Sequence, residues 1–342
     1  MAAQRSFFDE EHRLEKLSRQ GDPLEKLRDA VDWEIFRPLL KQAFEKENKG
    51  PGGRPAFDGV MMWKVLVLQR LYNLSDAQME FQLNDRLSFM RFVGLDLADR
   101  VPDEKTIWVY RERLREAGVL DKLFERFLAY VEQQGMEMKG GRIVEASIVE
   151  VPKQRNRREE NEQIRQGKRP EGWSEAQKRQ KDTDARWVVK GGVKYFGYKN
   201  HVKVEVGTKL IQKYTVTDAS VHDSQVVESL LEDKDGGREL YGDAAYSGEP
   251  IRQLLEEKRI LNRVHEKGYR RRPLGEEQRE RNREKSKVRA RVEHVFGFQY
   301  TSMRCRLLRV VGLARARLVI GLMNLSYNLC RFVQLQCLYA KG

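Results

Sequence analysis

The sequence predicts an α/β protein: a mixed sheet flanked by helices over residues 137–342, preceded by an all-α region over residues 1–136. Three observations predict it. Up to about residue 136, apolar residues recur at three- and four-residue steps behind N-cap residues. From residue 142 the apolar runs shorten to strand length and are bounded by glycine and proline. At 342 residues, the chain is long enough for two domains and an insertion.

In chain order, Asp22-Pro23 pairs an N-cap with proline at the first helical position, and Leu24, Leu27 and Val31 mark the buried face. Asp32 caps a second helix carrying Ile35, Leu39, Leu40 and Phe44. The glycine- and proline-rich run NKGPGGRP, residues 48–55, is a predicted linker. Asp58, Ser75 and Asp103 cap three further helices, the last over Glu104–Glu116, and Leu120–Gln133 repeats the pattern. Short helices with short turns suit a DNA-contacting module and any small helical bundle equally well. Trp108, Tyr110, Arg111, Arg113 and Arg115 mix aromatics and bases on one helix, which a solvated basic face also explains.

The stretch Gly141–Glu150 (GRIVEASIVE) reads as the first strand. The polar block that follows, Lys153–Gly192, carries the basic runs KQRNRR, GKR and KRQK and almost no apolar residues. We read residues 153–194 as a basic insertion, partly disordered or gripping DNA, without a core of its own. Tyr195–Val206 and Leu210–Thr217 are strands joined at Gly207-Thr208. A helix at Asp223–Leu231, a strand at Leu240–Gly242, a helix at Pro250–Lys258 and a strand at Ile260–Val264 follow. One long charged helix spans residues 276–298, and a last helix spans about Leu313–Leu338. Three strands in succession form an antiparallel meander, and the later strand–helix units add parallel strands.

Lys and Arg number 65 against 52 acidic residues, a net charge of +13 that points to a polyanion, most often nucleic acid, although an anionic membrane would also fit. Cys305, Cys330 and Cys337 form no CxxC pair, so neither a zinc site nor a disulfide framework is expected, and buried reduced thiols in a cytoplasmic protein are the simplest reading. The first residues, MAAQRSFFDEEHRLEK, contain no apolar signal core. Leu318–Tyr339 is apolar, but Asn324, Ser326, Asn328, Arg331, Gln334 and Gln336 interrupt it, and we expect a buried helix and no membrane contact.

Glu145 lies mid-strand between Val144 and Ala146, where a carboxylate is costly unless something satisfies it. Asp243 ends the strand after the hairpin and helix, and Glu293 lies beside the apolar stripe of the charged helix. In a mixed sheet the first strand and the end of its parallel neighbour are adjacent, and a crossing helix brings a third carboxylate over them. Three such groups together make a site for hard divalent cations, the kind that supports in-line displacement at phosphorus. Plainer readings exist: Asp243 as the cap of a turn, Glu293 as one more charge on a charged helix. Glu150 is set aside because its odd offset from Glu145 puts it on the opposite face. His201 and His222, with Asp218 and Asp223, have no regular ligand spacing and read as supporting residues. Lys285, Lys287 and Arg289, one or two turns before Glu293, are expected phosphate contacts, as are Arg155, Arg157, Arg158, Lys178, Arg179, Lys181, Arg186 and Lys199.

The segments GRIVEASIVEVP, RQKDTDARW, FGYKNHVKVE, YTVTDASVHDSQ, LYGDAAYSG and KSKVRARVEHVFGF together resemble bacterial insertion-sequence transposases of the DDE type. RPAFDGVMMWKVLVLQRLYNLSDAQMEFQLNDRLSFMRFVGL and VPDEKTIWVYRERL resemble the N-terminal domain of the same proteins. The likeness runs from about Arg54 to Leu329. It implies an RNase H-like core that uses Mg²⁺, with Mn²⁺ as a substitute, to cut double-stranded DNA at terminal inverted repeats and join the 3′-hydroxyl to target DNA. It further implies a homodimer or larger assembly, in a bacterial cytoplasm and at the nucleoid, with residues 1–136 binding the element ends. The matching acids are Glu145, Asp243 and Glu293. The family's first acid is aspartate, so the glutamate here implies impaired activity, or an inactive transposase-derived DNA-binding protein as the alternative.

Overall fold

The computed structural model describes residues 9–44, 55–269 and 272–340. The predicted linker falls almost wholly on residues outside these, as does the start of the N-terminal segment read for a signal core. The described residues fall into two compact units, one from residues 1–135 with 325–342, the other from 136–324.

The first unit is helical. Its elements are α1 (Asp9–Arg19), α2 (Pro23–Ala30), a 3₁₀ turn (Trp33–Phe36), α3 (Arg37–Phe44), α4 (Gly59–Leu71), α5 (Asp76–Asp85), α6 (Leu87–Val93), α7 (Glu104–Ala117) and α8 (Leu120–Gln133). The predicted caps are in place. Asp22, Asp58, Ser75 and Asp103 each accept a hydrogen bond from a backbone N–H of the first turn. Asp32 caps the 3₁₀ turn that leads into α3. Trp63, Phe36, Phe89, Phe92 and Phe127 are fully buried and form the aromatic centre of this unit. The helix read as a basic face is less solvated than expected: Tyr110 is buried and Arg111 is paired with Asp76.

The second unit is the mixed sheet. β1 (Arg142–Glu150) is followed by α9 (Arg158–Arg165), α10 (Glu175–Gln180), β2 (Arg186–Lys190), β3 (Val193–Glu205) and β4 (Ile211–Asp218). A short helical segment ending in α11 (Val227–Leu230) leads to β5 (Glu239–Tyr241), α12 (Glu249–Glu257) and β6 (Leu261–Asn262). Then come α13 (Glu276–Arg289), α14 (Arg291–Gly297), a π-helical turn (Phe298–Ser302) and α15 (Leu313–Tyr339), whose residues from 325 on belong to the first unit. The sheet order is β2-β3-β1-β5-β6, with β4 also paired to β3. β3 runs antiparallel to both β1 and β4, whereas β5 runs parallel to β1 and β6 parallel to β5. This is the RNase H-like arrangement.

Register divides the side chains between two faces, because residues directly opposite each other point the same way. Val144 joins Leu230, Leu240, Tyr246, Ile251 and Leu255 in one buried cluster. On the opposite face Ser147 pairs in register with Asn200, and Asn200 exchanges two hydrogen bonds with Asn324 of α15 (2.9 and 3.0 Å). Gly197 faces the β1 backbone with no room for a side chain. A Cβ there would lie 2.2 Å from the Val149 carbonyl, so the FGYKNH glycine is a steric requirement of the β1–β3 pairing.

Three expectations are corrected. The insertion is ordered and has its own small core: Ile164, Trp173 and Ala185 are buried, Ser174 heads a capping box, and Trp173 donates to Glu160 (2.9 Å). It also contains an unpredicted strand, β2, in which Trp187 stands opposite Phe196. The single helix expected over 276–298 is broken at Ala290. Over the last helix, 78% of the most apolar window is buried, although its length and composition alone would allow a membrane crossing.

Candidate active site

Glu145 is in the middle of β1 and buried. Arg142 and Ile143 pair with Leu240 and Tyr241 of β5, so two steps further on Glu145 comes level with Asp243, just past the end of β5. The parallel register therefore puts the two carboxylates side by side at one edge of the strand pair. Burial pushes the Glu145 carboxyl above its ordinary range, and the neighbouring Asp243 charge adds to that. Arg289 opposes it: its Nη1 donates to Glu145 Oε2. Asp243 is half-buried and caps the short turn Ala244–Tyr246 by accepting from the Ala245 N–H (2.8 Å). The plainer capping role and the acidic role thus fall on one residue.

Glu293 is on α14, one turn after Arg289, and is exposed. It borders a cleft of about 280 Å³ lined by Ser147, Val149, Phe296, Tyr300 and Met323. α14 packs on β1 and α13 on β5. Among the described residues, no three His, Cys, Asp or Glu side chains are gathered as a metal cage. The structure thus brings Glu145 and Asp243 together and leaves Glu293 on the adjoining helix. The donor chemistry fits a hard divalent cation: both close groups are carboxylates, and the Asp243 charge works against ionisation of Glu145.

What fixes α14 against the sheet is a buried amide cluster that sequence reasoning missed. Gln299, in the π-helical turn, donates to Asn324 Oδ1 (2.9 Å), which also accepts from Asn200. Asn200 and Asn324 are fully buried. Polar residues at otherwise apolar positions, Asn200 in a strand and Asn324 in the last helix, were the available signal.

Beneath Glu145, on the opposite face, is a second polar cluster. His201 is fully buried; its Nε2 lies 2.9 Å from Thr217 Oγ1 and its Nδ1 3.9 Å from Asp223. Burial lowers the His201 pKa to about 4, so the ring is neutral. Tyr246 is also fully buried, and its hydroxyl has no partner among the described residues. Burial raises its pKa, helped by the charges of Asp223, Glu145 and Asp243. The aromatic ring three residues after the acid in LYGDAAYSG was its sequence signal. His222 is exposed and caps the turn that starts at Asp223.

The expected phosphate contacts divide into two groups. Arg155, Arg157, Arg158 and Arg179 are exposed on the insertion, and Lys287 is exposed on α13 beside Glu284. Lys178 pairs with Glu175, Arg186 donates to the Thr183 and Ala185 carbonyls, and Lys181 lies over Trp173. Lys285 donates to the Val264 carbonyl (3.0 Å). Lys199 must be corrected: it is buried, and its ammonium is held by Asp223 (2.8 Å) and the Val221 carbonyl (2.7 Å). A strand-interior lysine faces the interior here and supports the sheet.

Two family models match the chain. One described as "Transposase domain (DUF772)" matches residues 12–113, and one described as "Transposase DDE domain" matches residues 137–329. Among solved structures, the cryo-EM structure of the piggyBac transposase synaptic complex with hairpin DNA is similar over 94% of this chain and 76% of that one. The sequence identity is 13% and the TM-score 0.46.

Proposed function

The chain belongs to the transposases with a DDE domain, and from that premise we propose that it binds the terminal inverted repeats of an insertion sequence and cuts and joins DNA there. The observation that carries the proposal is the parallel β1–β5 register, which sets Glu145 beside Asp243. Glu145, Asp243 and Glu293 are the catalytic acids in this reading and would hold the metal, with Mg²⁺ expected and Mn²⁺ as a substitute. A bound divalent cation would supply charge stabilisation at the phosphorus undergoing displacement.

The chain's own residues do the rest. Asp243 is oriented by its bond to the Ala245 N–H. In this reading Glu293 joins Glu145 and Asp243 from α14, and the Gln299–Asn324–Asn200 cluster ties the turn after that helix to the sheet. The exposed arginines at 155, 157, 158 and 179 contact phosphates and position the duplex. Residues 1–136 serve end binding and assembly, and the working form is a homodimer or larger.

One observation favours a second reading, a transposase-derived DNA-binding protein that does not cut. Glu145 stands where the family has aspartate, and Arg289 already occupies it. The extra methylene moves the carboxylate by roughly 1.5 Å, a carbon–carbon bond length, against a tolerance of about 0.5 Å for catalytic groups. The deciding experiment is cleavage and strand transfer on an element-end duplex with Mg²⁺, comparing the chain with Glu145→Asp and Asp243→Asn. Cleavage by the chain, abolished by Asp243→Asn, supports the enzyme; cleavage by Glu145→Asp alone supports the acidic site and leaves this chain in the second reading. Binding without cleavage in every form supports the second reading.

A further inference from the structure

We propose that Arg289 is a latch on Glu145 that DNA phosphate opens, so that DNA binding and divalent-cation binding at the acidic site are coupled. The inference deepens the metal-site reading above and rests on it.

The Arg289–Glu145 pair joins residues 144 positions apart, from the end of α13 to the middle of β1. The Glu145 side chain is 8% exposed and that of Arg289 is 26% exposed. Among the described residues, besides the arginine, Glu145 accepts only a long bond from the Ala146 N–H (3.4 Å). The guanidinium is therefore its counter-charge, seated on an oxygen that a cation would need. Arg289 itself is poorly satisfied: among the described residues it makes this one hydrogen bond, and its buried Nε has no partner. A group that uses one donor of five is held by charge and not by geometry.

Its position makes exchange feasible. Arg289 is the last residue of α13, and the helix breaks at Ala290 before α14 begins. Phosphate can compete for the guanidinium, because it accepts two parallel N–H bonds where Glu145 accepts one. When a phosphate takes Arg289, the buried carboxylate loses its counter-charge beside Asp243, and a divalent cation becomes the favoured replacement. By linkage, a cation that draws Glu145 away must strengthen phosphate binding by the same factor.

The test uses the full chain. Mn²⁺ binding is measured by electron paramagnetic resonance without DNA, for the chain, Arg289→Gln and Arg289→Gln/Glu145→Gln. Anisotropy of a labelled element-end duplex is then measured in EDTA and in Ca²⁺. We expect Arg289→Gln to bind Mn²⁺ at least tenfold more tightly than the chain, and the double variant to lose that gain. We expect Ca²⁺ to tighten duplex binding severalfold in the chain and to do so far less in Arg289→Gln. Equal Mn²⁺ affinity in the chain and Arg289→Gln overturns the latch alone. Mn²⁺ binding that is absent throughout, or that is as tight in the double variant as in Arg289→Gln, overturns the metal-site reading and the latch with it. Circular dichroism establishes that the variants fold. If Arg289→Gln does not, the duplex measurement on the unaltered chain decides, and no effect of Ca²⁺ there overturns the latch.

Discussion

Asp235→Ala should unfold the sheet unit at markedly lower temperature. The Asp235 side chain is fully buried and accepts from Arg142 Nε (2.9 Å), Lys203 Nζ (2.6 Å) and the Glu232 N–H (2.9 Å). Lys203 is itself fully buried, and its other carboxylate, Glu232, is 30% exposed. Removing one member of a buried ion pair costs about 3–5 kcal/mol, because the remaining charge is left in the interior. For a unit of this size, each kcal/mol shifts Tm by about 2–4 °C. The expected loss is therefore roughly 6–20 °C in the transition of the second unit, read by calorimetry. The network matters for function because Arg142 starts the β1–β5 register that brings Glu145 level with Asp243. Burial pushes the Asp235 carboxyl up, but Lys203, the Glu232 N–H and Arg142 outweigh it and hold the group below its ordinary range. Its contribution is thus complete above about pH 4 and is lost as pH falls through the lowered value. The deficit of the variant should be full at pH 7 and shrink near pH 3. A Tm loss under about 2 °C at pH 7 would refute the reasoning, since it would mean that Lys203 finds equal compensation without Asp235.

Other expectations follow from the same structure. Asn324→Leu leaves the buried amides of Asn200 and Gln299 short of a partner, at about 1–3 kcal/mol each; it should lower Tm and reduce cleavage without changing DNA affinity. His201 is neutral when folded and titrates near pH 4, whereas the unfolded chain takes up that proton near pH 6.5. Stability should therefore fall as pH drops from 6.5 to 4, and His201→Gln should flatten that part of the denaturation profile. Replacing Arg155, Arg157 and Arg158 by alanine should make log affinity fall less steeply with log salt, by about 0.9 for each phosphate that is no longer neutralised. Lys199→Met, buried on Asp223, should leave that slope unchanged.

Much of the fold is legible in the sequence because its signals are local. A cap such as Asp103 acts on a backbone N–H three residues on, and the alternation in β1 depends only on which side each successive Cβ points. The RNase H-like order follows from the succession of those elements. Glu145 is legible as a buried carboxylate because a charge inside an apolar strand contradicts its surroundings, whereas Glu293 on a charged helix does not announce itself. The order of the insertion is not legible, because its core is only Ile164, Trp173 and Ala185, too sparse to give a period. The tertiary structure alone decided which charges meet. Lys199 and Lys203 have the same strand spacing as any exposed pair, yet the helical segments beyond β4 cover them and supply Asp223 and Asp235. Arg289 reads in the sequence as one of many bases before Glu293; that it lies on Glu145 depends on strand register and helix placement across 144 positions of chain. Backbone periodicity says nothing about which side chains meet across so large a separation, because that is fixed by packing and by the cost of leaving a buried charge unpaired.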